Sequence, residues 1–252
     1  MAEPLSQPRS SSFLTLAGLA LLVLGALGGW AFERQRMAGA VSGSGRAAME
    51  KVVHDYLLTH PEILPEAMDR LRAKESQKQL AGIGSRLYEA YPGAIMGNPQ
   101  GKVTLVAFSD FACTYCRQSE PALAALIAEN PDLKVVIRHL PIIAPTSPVA
   151  AAMGLAAAEQ GKYGAFHSAM FAAGRTDPAS IEAAARLAGL DLARARTAAV
   201  QPKVQAELEA NIGFARTLGI NGTPVWIVGD QILQGAVGKD ALAEAVATAR
   251  KS

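Results

Sequence analysis

One arrangement restricts this chain more than any other. Cys113 and Cys116 stand at C-x-x-C spacing, directly after an apolar run and at the head of a helical pattern. The run, Val103-Thr104-Leu105-Val106-Ala107-Phe108, is short and rich in β-branched residues, and reads as a buried strand. Ser109 to Ala112 follow it, and the helical pattern from the cysteines continues to about Glu129. Leu133 to His139 (LKVVIRH) reads as a second strand. Strand, helix and strand in this order imply a parallel pair joined by a crossover. These two cysteines are the only ones in the chain, so no disulfide framework is available and stability must come from an ordinary core.

The remaining elements fall into place around that unit. From about Ser147 to Leu218 the chain is Ala-rich and helical by composition, with breaks near Gly174, Asp177-Pro178, Gly189 and Pro202. Val225 to Val228 and Gln231 to Leu233 read as short strands joined by Gly229-Asp230, a hairpin signal. A closing helix spans about Gly238 to Arg250. The result is an α/β sheet with a helical insertion between its halves. The formal net charge of +2 and the absence of a long basic run give no support for a nucleic-acid partner.

The N-terminal part has a different character. After a tail (1–12), residues 13–32 (FLTLAGLALLVLGALGGWAF) carry no charge over 20 positions. At ~1.5 Å per residue, a helix of that length spans a hydrocarbon core of about 30 Å. Two readings stand, an uncleaved anchor, favoured by length and flanks, and a signal sequence cut near Ala38 to Ala40. Residues 33–46 have linker composition, and a helical region occupies 47–92. Within it Met49, Val52, Val53, Tyr56 and Leu57 recur at helical spacing. Pro61 suits the first turn of a further helix carrying Ile63, Leu64, Ala67, Met68 and Leu71. Leu80, Ile83 and Leu87 resume the stripe after the polar KESQKQ. Such a region either packs on its own domain or pairs with another copy, so a homo-oligomer through 47–90 is one expectation.

The chemistry expected of the cysteine pair follows from its place. Unpaired N–H groups and the helix dipole at a helix N-terminus favour an anion, and the thiolate is the species that attacks disulfides. Cys113 is therefore expected to be the exposed nucleophile and Cys116, one turn on, the shielded resolving thiol. A zinc half-site is the first competing reading. Among His54, His60, His139 and His167 no two stand at i, i+3 or i+4, so no metal is expected. A purely structural disulfide would close a very small loop with little entropic gain. No phosphate loop or Ser-His-Asp signal is present, so no cofactor is expected. Trp226 reads as core, and Tyr163, Phe166 and Phe171 read as packing of the insertion.

The run from Val103 through Cys116, with Phe108, Asp110 and Phe111 ahead of the cysteines, resembles the DsbA-type branch of the thioredoxin superfamily. Pro121 resembles the proline that kinks the active-site helix there. Gly222-Thr223-Pro224 resembles the loop whose proline is cis and whose backbone, at Thr223, pairs with substrate beside the cysteines. The resemblance covers roughly Ala94 to the C-terminus. It implies a thioredoxin-like domain over 93–252 with a helical insertion at about 146–218, and the transmembrane helix and helical stalk read from the residues above would precede it. Residues 47–90, with DYLLTHPEILPEAMDRL, are similar to the N-terminal region of the ScsC (suppressor-of-copper-sensitivity) group, which oligomerises in some members. One departure stands out. Family members often carry a buried acid six residues before the first cysteine, and here that position is Ala107. Asp110 offers either a carboxylate for proton transfer or a helix cap.

The resemblance implies a protein disulfide oxidoreductase outside the cytoplasm. It would act on exported cysteine-containing proteins and be recycled by a membrane redox partner, with the catalytic domain on the periplasmic side of an inner membrane. Thr114 and Tyr115 carry no charge and no imidazole, which points to a weaker oxidant than the His-containing members. Oxidation is the first expectation and ScsC-type isomerisation or reduction the second. A thioredoxin-fold chaperone or copper(I)-handling module is the non-catalytic rival, since a reduced pair offers soft sulfur.

Overall fold

The computed structural model describes residues 25, 27–34 and 43–251, which divide between Met68 and Asp69 into two compact units. Among the described residues no helix is long and apolar enough to cross a membrane. The span expected at 13–32 lies for the most part outside them.

The first unit holds the helix Gly43–Thr59, which begins inside the stretch expected to be linker. Pairs at i, i+4, Arg46–Glu50 at 2.9 Å and Lys51–Asp55 at 3.0 Å, line its exposed surface. The next helix is Ile63–Ala81, so Pro61 lies in the turn before it rather than in its first turn. Pro65 takes that place, where a missing N–H costs nothing. Met49, Val52, Val53, Tyr56, Leu64 and Met68 are exposed. The helix does not carry the apolar stripe on to Leu87. Gly82 and Gly84, the latter at φ 73°, end it, and Leu87 is buried from a separate 3-10 turn, Ser85–Tyr88.

The second unit is built on a five-stranded sheet in the order β1 (Ile95–Gly97), β3 (Leu133–His139), β2 (Val103–Ser109), β4 (Val225–Val228) and β5 (Gln231–Gln234). β2 and β3 are parallel, joined by the active-site helix Thr114–Glu129, and the other pairings are antiparallel. β1 is an addition to the expected strands. Three residues are too few to show a period, and this strand exists through its pairing with β3.

Strand alternation sorts the core into two faces. Leu105, Ala107, Val135, Ile137 and Trp226 turn towards the active-site helix and the closing helix Lys239–Ala249, meeting Leu123, Leu126, Leu242 and Val246. Val106, Phe108, Val136 and Ile227 turn the other way, to Leu80, Leu87, Ala215 and Leu218. Trp226 is core, as expected, with its indole N–H donated to the Gly235 carbonyl at 3.0 Å. The insertion supplies five helices, Ser147–Ala158, Tyr163–Ala173, Pro178–Leu187, Leu192–Ala199 and Pro202–Thr217. The first is buried on nearly every side, which its alanines permit by letting neighbouring helices approach closely.

Arg138 on β3 is a buried cation that ties these parts together. Its guanidinium donates to the Leu87 carbonyl at 3.2 Å, to Glu207 Oε1 at 2.5 Å, to Asn211 Oδ1 at 3.1 Å, and to the carbonyls of Arg86 and Glu89. The segment 80–94 is thus held on the sheet by one side chain as well as by Leu87. Replacing Arg138 with Met leaves those acceptors without a donor, and is expected to cost about 3 kcal/mol in urea unfolding. Limited proteolysis of the variant should cut first between 81 and 94.

Candidate active site

β2 delivers the chain into a tight turn, with the Cys113 N–H donated to the Asp110 carbonyl at 3.0 Å, and the helix starts at Thr114. Cys113 is itself the N-cap. Its backbone is extended (φ −81°, ψ 119°) and its sulfur accepts the Cys116 N–H at 3.4 Å. Both thiols are free. The Cys113 thiol donates to the Thr223 carbonyl at 3.2 Å, and the Thr223–Pro224 peptide is cis. The expected loop and cysteine pair are therefore adjacent, although 110 residues separate them in sequence. Cys113 is less exposed than its expected role suggested, at 5%, because the Thr223 backbone lies against its sulfur. Thr114 and Tyr115 form the exposed lip of the site, Tyr115 at 62%. Pro121 lies inside the helix, where it withholds an N–H from the Arg117 carbonyl.

Cys116 sits beneath, 2% exposed. Burial pushes its thiol from 9.0 up to about 12, opposed by the nearby Thr223 side chain, the Asp110 backbone and the Ser109 side chain. The Thr223 hydroxyl makes no hydrogen bond in this reduced state, yet it lies near enough to favour a Cys116 thiolate. Ala107, at 1% exposure between Ile137 and Trp226, places only a methyl group on the sheet below.

Asp110 does not take the cap role, one of the two expected of it. Cys113 caps the helix, and the Asp110 carboxylate is engaged elsewhere: Oδ1 accepts from Ala112 N, and Oδ2 from Ile142 N and Ile143 N, each at 2.9 Å. It braces the turn before the cysteines against the loop after β3, and so sets the place of the exposed Ile142 and Ile143. Acidic residues ahead of a helix usually signal a cap. Here three distant or turn N–H groups compete successfully for the same oxygens.

Behind the thiols, the rings of Phe111, Phe166 and Phe171 pack with Tyr163, His139 and His167. The apolar members match the expected packing of the insertion. The two histidines and Glu120, with which His167 pairs at 3.0 Å, were not singled out from the sequence for this place. Spacing carries no signal for them, since they come from three separate elements.

With this geometry the comparisons become informative. Residues 104–247 match the DSBA-like thioredoxin domain family, and residues 46–78 match the copper resistance protein ScsC N-terminal domain. A thioredoxin-like oxidoreductase from Silicibacter pomeroyi DSS-3 is 35% identical, with 67% of this chain and 98% of that one aligned at a TM-score of 0.64. Proteus mirabilis ScsC in a transitional conformation is 29% identical over 84% of this chain and 100% of that one, TM-score 0.62. A periplasmic thioredoxin-like protein from Salmonella enterica serovar Typhimurium is 29% identical over 68% and 97%, TM-score 0.60. Na(+)/H(+) antiporter NhaA 1 of Salinispora arenicola is 31% identical over 158 residues, 62% of this chain. The chain spans about a quarter (24%) of the length of that curated relative, too little to carry its activity over.

Three outcomes follow from the site. Asp110→Ala removes the carboxylate shared by three backbone N–H groups, leaves those of Ala112 and Ile143 without an acceptor, and is expected to cost about 2 kcal/mol or more. Asp110→Asn should leave the pH dependence of thiol exchange unmoved, measured by stopped-flow alkylation. The raised Cys116 thiol also predicts an alkaline effect. An unfolded cysteine ionises near 9.0 and the folded one near 12, so the stability from this group is full below pH 9 and is lost as pH rises towards 12. Urea unfolding of the reduced protein against Cys116→Ala should show the difference shrinking through that window.

Proposed function

Because this chain belongs to the DSBA-like thioredoxin domain family, we propose that it is a protein disulfide oxidoreductase, with Cys113 as nucleophile and Cys116 as resolving thiol. The observation that carries the reading is the Cys113 sulfur, set at the head of a helix and against the Thr223 carbonyl of the cis-proline loop. A substrate thiolate attacks Cys113 Sγ, the Cys113–Cys116 bond breaks, and Cys116 leaves with the electron pair and takes a proton. A second substrate thiolate then attacks the mixed disulfide, and Cys113 departs reduced. The backbone at Thr223 and Pro224 supplies hydrogen-bonding groups for an extended substrate segment, in the manner of an added strand. Tyr115, Ile142 and Ile143 provide exposed apolar surface nearby.

The substrates in this reading are exported proteins with cysteines, and a membrane redox partner reoxidises the pair. The periplasmic location of one relative and the uncharged run at 13–32 support an extracytoplasmic domain, anchored or released. Dithiol oxidation is the direction we favour, with the uncharged Thr114-Tyr115 dipeptide making this a weaker oxidant than the His-containing members. Isomerisation is the second reading, favoured by the ScsC N-terminal match on 46–78 together with the exposed Met49, Val52, Val53 and Tyr56. Those side chains give copies of the chain a surface to share, which would set several active sites around one cleft.

In cells, Cys116→Ser should accumulate mixed disulfides with other proteins through Cys113, and Cys113→Ser should not. Capture by Cys113→Ser alone would reverse the assignment. Trapping the resting thiols of the wild-type chain with a size-shifting alkylating reagent separates the directions. A mostly oxidised pair is expected for an oxidase, and a mostly reduced pair would move the protein to the isomerase side.

A further inference from the structure

Cys116 is buried and holds its proton tightly, yet disulfide exchange requires that proton to leave and return. Neither nearby acidic position serves it, since Ala107 has no acid and the Asp110 carboxylate is taken up by three backbone N–H groups. Taking Cys113 and Cys116 as the redox pair, we propose that Ser109, His139, Tyr163 and His167 form a relay that carries the Cys116 proton to Glu120 at the surface.

Hydrogen bonds join the outer part of this path, from His139 through Tyr163 and His167 to Glu120, and its inner end rests on the neighbouring positions of Ser109 and His139. Ser109 and His139 are partners in the β2–β3 register, so their side chains stand side by side on one face of the sheet. The Ser109 side chain acts on the Cys116 thiol. His139 Nε2 lies 3.1 Å from the Tyr163 hydroxyl, which lies 3.4 Å from His167 Nδ1. His167 Nε2 meets Glu120 Oε2 at 3.0 Å, and the Glu120 side chain reaches solvent at 23% exposure. At the inner end, His139 Nδ1 is buried without a partner, a position that costs free energy unless it is used. Gly154 keeps the place open, because a Cβ there would stand 3.1 Å from His139 Nε2 and 3.2 Å from the Phe111 ring.

The transfer balances. When Cys116 closes on a mixed disulfide, its proton passes to Ser109 Oγ as the Ser109 proton moves to His139 Nδ1. His139 Nε2–H then passes its proton to Tyr163, Tyr163 to His167 Nδ1, and His167 Nε2–H to Glu120 and water. Every intermediate atom that gains a proton is matched by one lost from the same group, so none changes charge. The Cys116 thiolate attacks Cys113 Sγ, the Cys113–Cys116 bond forms, and the departing thiolate carries away the electron pair. The reverse reaction runs the chain backwards and resets it. Burial together with His167 holds His139 neutral, its pKa lowered to about 3, as a relay by exchange of tautomers requires. The other titratable groups acting on the chain are Cys113 upon Cys116 and Glu120 upon Tyr163.

The test uses the reduced full-length protein and an aromatic disulfide reagent whose released thiolate is coloured. Stopped flow then separates a first release, from attack by Cys113, and a second, from Cys116 closing on the mixed disulfide. In Tyr163→Phe and Ser109→Ala the second release should slow about tenfold or more at pH 7, within the range typical of lost proton transfer. It should also rise about tenfold per pH unit as hydroxide takes over, with the first release little changed. An unchanged second phase in both variants overturns the relay, as does equal slowing of both phases with the wild-type pH profile, which marks a merely structural role. If Tyr163→Phe does not fold, Ser109→Ala decides alone. Absence of a second release from the wild-type protein overturns the assignment of the pair itself, a failure distinct from that of the relay.

Discussion

β2 is hydrogen-bonded along both edges, to β3 on one side and β4 on the other, and the site depends on that double pairing. The parallel partner requires a crossover, which places the active-site helix at the end of β2 with its N-terminus towards the cysteines. The antiparallel partner brings in the start of β4 and, just before it, the Thr223 carbonyl that meets Cys113 at 3.2 Å. A slip of one residue in either ladder would turn Ala107, Ser109 and His139 to the opposite face and part the sulfur from the carbonyl.

Two consecutive residues of β3 show how far this alternation reaches. Arg138 points to the face covered by the segment 80–94 and Glu207; its Nε and Nη2 donors fasten that segment, and Nη1 donates to Glu207 and Asn211. His139 points to the opposite face, among Phe111, Tyr163 and His167. Both are buried, and both are polar in a strand whose other members are mostly apolar. Burial of such groups is costly unless they are hydrogen-bonded; Arg138 meets that demand in full and His139 at Nε2, through residues far away in sequence. The sheet thus has a clasp on one side and a polar thread through the core on the other.

The contrast between the two thiols follows from the same packing. Cys113 takes the helix N-cap and lies beside the exposed Thr114-Tyr115 lip. Cys116, one turn inward, is enclosed by the sheet and the insertion, which disfavours its thiolate. That asymmetry separates an attacking sulfur from a resolving one, and it makes the movement of a single buried proton a structural problem. Asp110, the acid nearest in sequence, is spent on bracing two loops.

Much of this protein was legible in the chain. A β-branched run, a helix-heading C-x-x-C, a second apolar run and a Gly-Asp hairpin specify strand order in sequence and the place of the cysteines, because period and turn chemistry are local properties. Thr223-Pro224 was legible only through resemblance, and the sheet confirms that it lies beside Cys113. The strand Ile95–Gly97 and the burial of Cys113 were not, since each depends on a partner distant in sequence, and the apolar stripe through Leu80, Ile83 and Leu87 masked the local end of the helix at Gly82 and Gly84. The roles of Asp110, Arg138, His139 and Glu120 were hidden for the same reason. A side chain's identity states which hydrogen bonds it can make, and only the tertiary structure decides which partners are within reach.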